Sequence, residues 1–398
     1  FQVLLAQEAR QYSLWAVLTV VSSAFLLRSL QAKEDAKSNP LSWLGYGVTA
    51  ALGMYAHLFF TWVLVTHGLY VVLTEKFRLT QKLRRYLMVS MGISFAFSPW
   101  VWIVLTRMNT VGITSMWAST YDSSLLARVG VWLHNIGIGF IDFDLPVKFI
   151  NPFSYLILGL LIYGIYLLCR YTPKRVWLFV VLLMAVSALG QMIPDLLQGG
   201  RRSLLSRYSL TVYLGMELAV GYAIARAFAP QSNRELERKS GFRKSQSWLA
   251  GWSADWVAQG QKIAAIALIV GGLVSSGMVT QSLTWARGTS RVTAQASPII
   301  NQSQSIWILS DVDHTYTLSL SHQLAPEKHF VLVNREQSSD YAAALAQVLA
   351  QVPKKGDFFV YAPSEAMVDF LQASNSVRLL PRTRELRLAQ LYLAQRSR

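Results

Sequence analysis

The chain has 398 residues, of which 53% are hydrophobic and only 15% charged, with a formal net charge of +16. So low a charged share, with a mean hydropathy of +0.33, excludes an ordinary soluble domain and describes an integral membrane protein. The positive excess falls in short clusters between apolar runs, which is the pattern of membrane topology and not of a nucleic-acid-binding face.

The chain opens FQVLLAQEARQYSLWAVLTVVSSAFLL. No charged n-region and cleavage site follow Phe1, so the start does not read as a signal peptide, and the chain is expected to be the C-terminal part of a longer protein. Spanning needs about 20 apolar residues. Runs at Tyr12–Leu30, Trp43–Ala56, Leu58–Thr74, Tyr86–Thr106, Phe149–Cys169, Val176–Pro194, Tyr208–Phe228 and Ile263–Thr280 give about eight spans. The second is short and continues through His57 into the third, so the pair reads as a tight helical hairpin. Cys169 is the single cysteine, which excludes an internal disulfide and a cysteine metal site.

Charge tests this topology independently. If the chain starts outside, the cytoplasmic segments are Arg28–Lys37, Glu75–Arg85, Arg170–Arg175 and Arg226–Lys262, and these collect 18 of the 25 Lys and Arg in residues 1–282. The opposite short loops carry Arg10, then nothing ionisable but His57, then Arg201, Arg202 and Arg207. That alternation is the positive-inside rule, and it places a multi-pass protein in the cytoplasmic membrane.

Residues 107–148 are too long and apolar for a plain loop, and SLLARVGVWLHNIGIGFIDFDL predicts an interfacial or re-entrant helix. A ninth span there would reverse every later loop against the charge rule. From about Leu283 the chain changes character. SIWILSD, HFVLVN, DFFVYAP and SVRLLP read as short strands, alternating with the helical SDYAAALAQVLAQV and SEAMVDFLQAS. The expected architecture is therefore a polytopic α-helical membrane protein of about eight transmembrane helices over 1–282. A small extracytoplasmic α/β domain with a parallel sheet follows over 283–398.

Several residues stand where chemistry is possible. Glu8 and Arg10 lie at the outer mouth of the first span, where the charge rule disfavours a cation. In a continuous helix Glu8, Gln11, Tyr12 and Trp15 share one stripe, and Arg10 points elsewhere unless the chain is unwound before Tyr12. Two readings stand: a polar pocket with Glu8 as base or metal ligand and Arg10 on a phosphate, or an interfacial cap marking where the helix leaves water. GGRRSLLSRYSL places Arg201, Arg202, Arg207 and Tyr208 at a second outer mouth, either to grip phosphate or to anchor the helix at the interface. His57 faces the same side as a pocket donor or a locally bonded histidine. Asp142 and Asp144 would offer oxygens to a hard divalent cation or form a solvated turn. Asp311, Asp313 and His314 follow a strand and read as a loop at its end. Charges sit almost wholly at span ends, with His67 the internal exception. No Walker loop, dinucleotide fingerprint or HExxH occurs, which disfavours ATP hydrolysis and soluble cofactor chemistry.

LLAQEARQYSLWAVLTVVSSAFLLRSL, YAHLFF and the SRY that opens a late span resemble bacterial polytopic glycosyltransferases of the C-type fold. Within these they look like family thirty-nine, the relatives of dolichyl-phosphate-mannose protein mannosyltransferases, over about 1–280. The resemblance implies transfer of a sugar from a polyprenyl-phosphate donor outside the cytoplasmic membrane. The acceptor, whether glycan, lipid or protein, stays open, and a divalent metal ion is the one cofactor in view. It implies that Glu8 matches the second of two acidic positions, the first lying in an outer loop upstream of Phe1, and that Arg10 and Arg207 contact the lipid-linked phosphate. The alternative from another class is a transporter or lipid-linked saccharide flippase, which would want ionisable residues deep inside spans.

Overall fold

The computed structural model describes residues 11–31, 40–108, 123–143, 153–229, 254–281, 288–312, 314–333, 340–353, 356–373, 377–381 and 391–396. The chain divides into two compact units, Phe1–Thr280 and Gln281–Arg398.

In the first unit helix forms along each apolar run, because in a bilayer a backbone amide or carbonyl is satisfied only within its own segment. The helices are α1 Tyr12–Gln31, α2 Pro40–Ala56, α3 Phe60–Thr74, α4 Gln81–Thr106, α5 Leu125–Ile138, α6 Phe153–Tyr171, α7 Lys174–Gln198, α8 Leu210–Phe228 and α9 Ala254–Gln281. Local chemistry fixes the starts. Pro40 supplies a preset φ at the first position of α2, while the Thr80 and Ser124 hydroxyls accept from the amides of Leu83 and Ala127 to cap α4 and α5. Each of the eight expected spans contains a helix, but among the described residues six helices (α1, α4, α6, α7, α8 and α9) are long and apolar enough to cross a membrane. The hairpin pair is shorter, at 17 residues for α2 and 15 for α3. The interfacial segment is a helix, α5, of 14 residues.

The side-chain pattern is that of a protein whose solvent is lipid. Along α1 the buried positions Tyr12, Trp15, Thr19, Ser22, Leu26 and Ser29 recur at three- and four-residue steps, while Leu14, Val17 and Val20 are exposed. Hydroxyls point in and aliphatic side chains point out. On α4 the exposed residues include Met88, Met91, Phe95 and Trp102. Inside, the fully buried His67 of α3 shares a 3.0 Å hydrogen bond with Ser23 of α1, and Tyr86 of α4 donates to the Leu64 carbonyl. Glu217 corrects the expectation of one internal ionisable group, since it lies a full two turns into α8 and is only partly exposed.

Contacts also separate the two ends of the bundle. At the basic end Lys82 donates to the Leu30 carbonyl at 2.7 Å, Tyr70 donates to the Arg175 carbonyl at 3.0 Å, and the Arg226 guanidinium lies 3.5 Å from the Tyr171 ring centroid. At the opposite end the starts of α1 and α8 meet the hairpin turn between α2 and α3.

The second unit is built on β1 Trp307–Ser310, β2 His329–Leu332, β3 Phe358–Tyr361, β4 Val377–Pro381 and β5 Leu391–Arg396. Its helices are α10 Gly288–Gln302, α11 His314–Ser321, α12 Tyr341–Leu349 and α13 Glu365–Ala373. Strand order is β2-β1-β3-β5-β4. The first three strands are parallel, joined by crossovers through α11 and α12. A wholly parallel sheet was the expectation; β5 instead runs antiparallel to both β3 and β4. The sheet is therefore mixed, with β4 and β5 forming an antiparallel extension. Asp311, one of the expected loop-end residues, is nine-tenths buried and ties the ends of β1 and β3 together. Its carboxylate accepts from the Tyr341 hydroxyl at 2.5 Å and from both the amide and hydroxyl of Ser364. Asp313 and the His314 side chain lie outside the described residues.

One packing contact in the helical unit sets a sharp limit. A Cβ on Gly164 of α6 would lie 2.7 Å from the Ala219 carbonyl oxygen of α8, and a backbone atom cannot rotate away. Gly164→Leu is expected to lower the stability of the purified protein by about 1–3 kcal/mol, read as an earlier midpoint of thermal unfolding in detergent. Gly159→Leu on the same helix, where a Cβ meets nothing within 4 Å, should leave that midpoint unchanged.

Candidate functional site at the mouth of the helical unit

The segment joining α7 to α8 is built to hold one shape. It runs through Gly199 and Gly200, both at positive φ (78° and 121°), which glycine adopts without strain. Two 3-10 turns follow, Arg202–Leu204 and Ser206–Ser209. Its backbone is gripped from two helices, α5 and α7. Arg128 of α5, buried at 4% exposure, donates to the Gly200 carbonyl at 2.8 Å. Asn135 of α5 donates to the Leu204 carbonyl at 3.0 Å, and Gln191 of α7 donates to the Tyr208 carbonyl at 3.0 Å. Asp195 of α7, 1% exposed, accepts the Ser203 amide at 2.6 Å, and its other oxygen lies 3.8 Å from the Arg202 guanidinium.

An aromatic wall stands where this segment meets α1 and the hairpin turn. The His57 ring stacks on Trp15 with centroids 4.3 Å apart and planes at 6°. Tyr12 and Tyr208 flank it at centroid distances of 5.6 Å and 5.8 Å. The amide of Phe59 donates to His57 Nδ1 at 3.1 Å. A backbone amide can only donate, so the neutral imidazole carries its proton on Nε2. Burial lowers the His57 pKa to about 4, which keeps the ring neutral near pH 7. The Arg207 guanidinium lies 5.4 Å from the Tyr208 ring centroid, and its buried Nε has no hydrogen-bond partner.

Of the residues the sequence singled out, the structure brings Tyr12, His57, Arg207 and Tyr208 into one cluster. Arg201 and Arg202 lie earlier in the same clamped segment. Asp142 lies elsewhere, in a clasp with α9: its amide donates to the Ser275 hydroxyl at 2.9 Å, which donates back to its carbonyl at 2.7 Å. Its charge partly offsets the burial that lowers the His134 pKa. Glu8, Arg10 and Asp144 lie outside the described residues. Among the described residues no group of three or more His, Cys, Asp or Glu side chains could hold a metal ion. Arg128, Asn135, Gln191 and Asp195 were not anticipated. Their signal was present as polar or charged groups inside apolar helical runs, which lipid-facing positions would exclude.

No family model and no curated protein matches the sequence. Among solved structures the chain is similar to the crystal structure of ArnT from Cupriavidus metallidurans bound to undecaprenyl phosphate. That likeness has 12% sequence identity and a TM-score of 0.48, and it covers 96% of this chain and 74% of that one.

The lowered His57 pKa has a definite sign in stability. The unfolded chain takes up a proton below about pH 6.5, and the folded ring does so only near pH 4. Stability therefore falls as pH drops from 6.5 through 4. His134 shifts in the same direction, so His57→Gln should remove only part of that slope. Thermal unfolding in detergent across this window checks it; an unchanged slope in the variant would place His57 in water.

Proposed function

We propose that the helical unit transfers a sugar from a polyprenyl-phosphate donor to a hydroxyl acceptor at the non-cytoplasmic face of the membrane, as a glycosyltransferase of the C-type fold. The observation that carries this reading is the Arg207 guanidinium, with an unpartnered Nε, held beside a wall of Tyr12, Trp15, His57 and Tyr208. Among the described residues no carboxylate pairs with this cation, which suits an anion that arrives with a ligand, and a planar fork suits phosphate. Arg10 precedes Tyr12 by two residues and Glu8 by four, so covalent geometry keeps them within roughly 7 Å and 14 Å of it along the chain.

In the step, the acceptor oxygen attacks the anomeric carbon as the bond from that carbon to the phosphate oxygen breaks. Glu8 takes the acceptor proton. Arg207 and Arg10 stabilise the charge that grows on the departing polyprenyl phosphate, and a fixed loop does so without reorganising during the reaction. The clamps from Arg128, Asn135, Gln191 and Asp195 support that fixity. The metal alternative rests on Glu8, Asp142 and Asp144, and no step here is routed through an ion. The sugar is a hexose or pentose in this reading, and the second unit would serve acceptor binding.

Glu217 favours a second reading, a flippase for a lipid-linked saccharide, because a carboxyl group inside a span is the kind of residue such a cycle uses. Sugar release from a polyprenyl-phosphate donor separates the two. In the full-length protein Glu8→Gln and Arg10→Ala should abolish release, and Arg207→Ala should lower it by roughly two to three orders of magnitude, with membrane insertion intact in all three. Undiminished release in these variants would remove the site from the reaction.

A further inference from the structure

A cavity of about 560 Å³ lies between α1, α3, α7 and α8, away from the mouth just described. Its wall is mostly apolar, formed by Val20, Ala24, Leu27, Phe179, Leu183 and Leu218 among others, with Thr19, Ser23 and Glu217 as polar lining at its inner end. It follows α1 from Thr19 to Gln31, a length of about 18 Å at the helical rise. That is about the depth of one leaflet of a bilayer whose apolar core is roughly 30 Å thick. The slot therefore begins at the basic end of the bundle and stops near its middle. Val20 and Leu218 on its rim are more than half exposed, so the slot opens sideways to lipid.

The entrance is not apolar. Glu75 and Arg175 line it, with Gln31 and Thr74. Neither charge serves its own helix. Glu75 caps the carboxyl end of α3, and Arg175 sits in the first turn of α7, each facing a helix dipole of its own sign. Nor do they serve each other: the ion pair among the described residues joins Arg202 to Asp195. Beside them the Tyr70 hydroxyl donates to the Arg175 carbonyl and fixes α3 against α7. A slot as deep as one leaflet, with an unpaired cation and anion at its entrance, has the complement of a zwitterionic lipid head group.

We infer that this slot binds one acyl chain of a phosphatidylethanolamine from the leaflet at the basic end. Arg175 receives the phosphate, and Glu75 receives the ammonium group. The site is separate from the proposed donor mouth and does not depend on the transferase reading.

Native mass spectrometry of the purified full chain tests it, with phosphatidylethanolamine, phosphatidylglycerol of the same acyl chains and undecaprenyl phosphate as probes. Phosphatidylethanolamine should be retained roughly tenfold better than phosphatidylglycerol, the difference of one charge-assisted contact. Glu75→Gln should erase that preference, Arg175→Gln should weaken both phospholipids, and Ala24→Phe, which fills the slot, should release them. Arg207→Ala, which strikes the donor mouth, should leave phosphatidylethanolamine bound. Equal retention of the two phospholipids, displacement by undecaprenyl phosphate at equal concentration, or indifference to Ala24→Phe would each overturn the assignment.

Discussion

A carboxylate buried at the carboxyl end of a helix is a costly arrangement, because the helix dipole and the loss of water both oppose it. Asp195 is such a group, and the Ser203 amide at 2.6 Å is what it gains in exchange. That contact turns the chain sharply after Gly199 and Gly200 and places Ser203 where Trp132 of α5 can donate to its hydroxyl at 3.3 Å. Once Ser203 is fixed, the carbonyls of Gly200, Leu204 and Tyr208 fall within reach of Arg128, Asn135 and Gln191. The position of Arg207 against the aromatic wall is the last link in that series. Arg207 is thus carried on a backbone that side chains of α5 and α7 hold in place, without drawing on its own guanidinium.

The two ends of the helical unit solve different problems with similar residues. At the mouth, aromatic rings and arginine make a wall whose imidazole, His57, is kept neutral by burial. At the basic end, tyrosine and lysine side chains reach backbone carbonyls of neighbouring helices and act as ties: Lys82 to Leu30, Tyr70 to Arg175. Between them the interior is unusually polar for so apolar a chain, with Thr19, Ser22, Ser23 and His67 buried on facing helices. Lipid offers aliphatic side chains as good a home as the protein core does, so hydroxyls and close backbone approaches hold the helices together.

Much of the helical unit was legible because its signals are long. Runs such as Val176–Pro194 and Tyr208–Phe228 leave the backbone one option in a bilayer, and helices α7 and α8 follow them closely. The pairing of Tyr12, His57 and Tyr208 at one end followed from counting spans. The clamps did not, because Arg128, Asn135 and Asp195 act across 69 residues or more, or within a loop whose turn depends on them. Glu217 was passed over since one carboxylate barely alters the apolar character of its run. In the second unit, LYLAQR reads poorly as a strand, with helix-favouring Leu, Ala, Gln and Arg. Pairing with Phe358–Tyr361 on one side and Val377–Pro381 on the other overrides that preference.

The short hairpin has a bearing on the lipid itself. Helix α3, with 15 residues, is about 22 Å long, several ångströms less than the hydrocarbon it must match. A bilayer meeting so short a pair thins locally, at a modest cost per ångström of mismatch. Its surface therefore dips beside His57, at the hairpin turn. Headgroups there ride lower than in the surrounding membrane, level with the rings of His57 and Trp15.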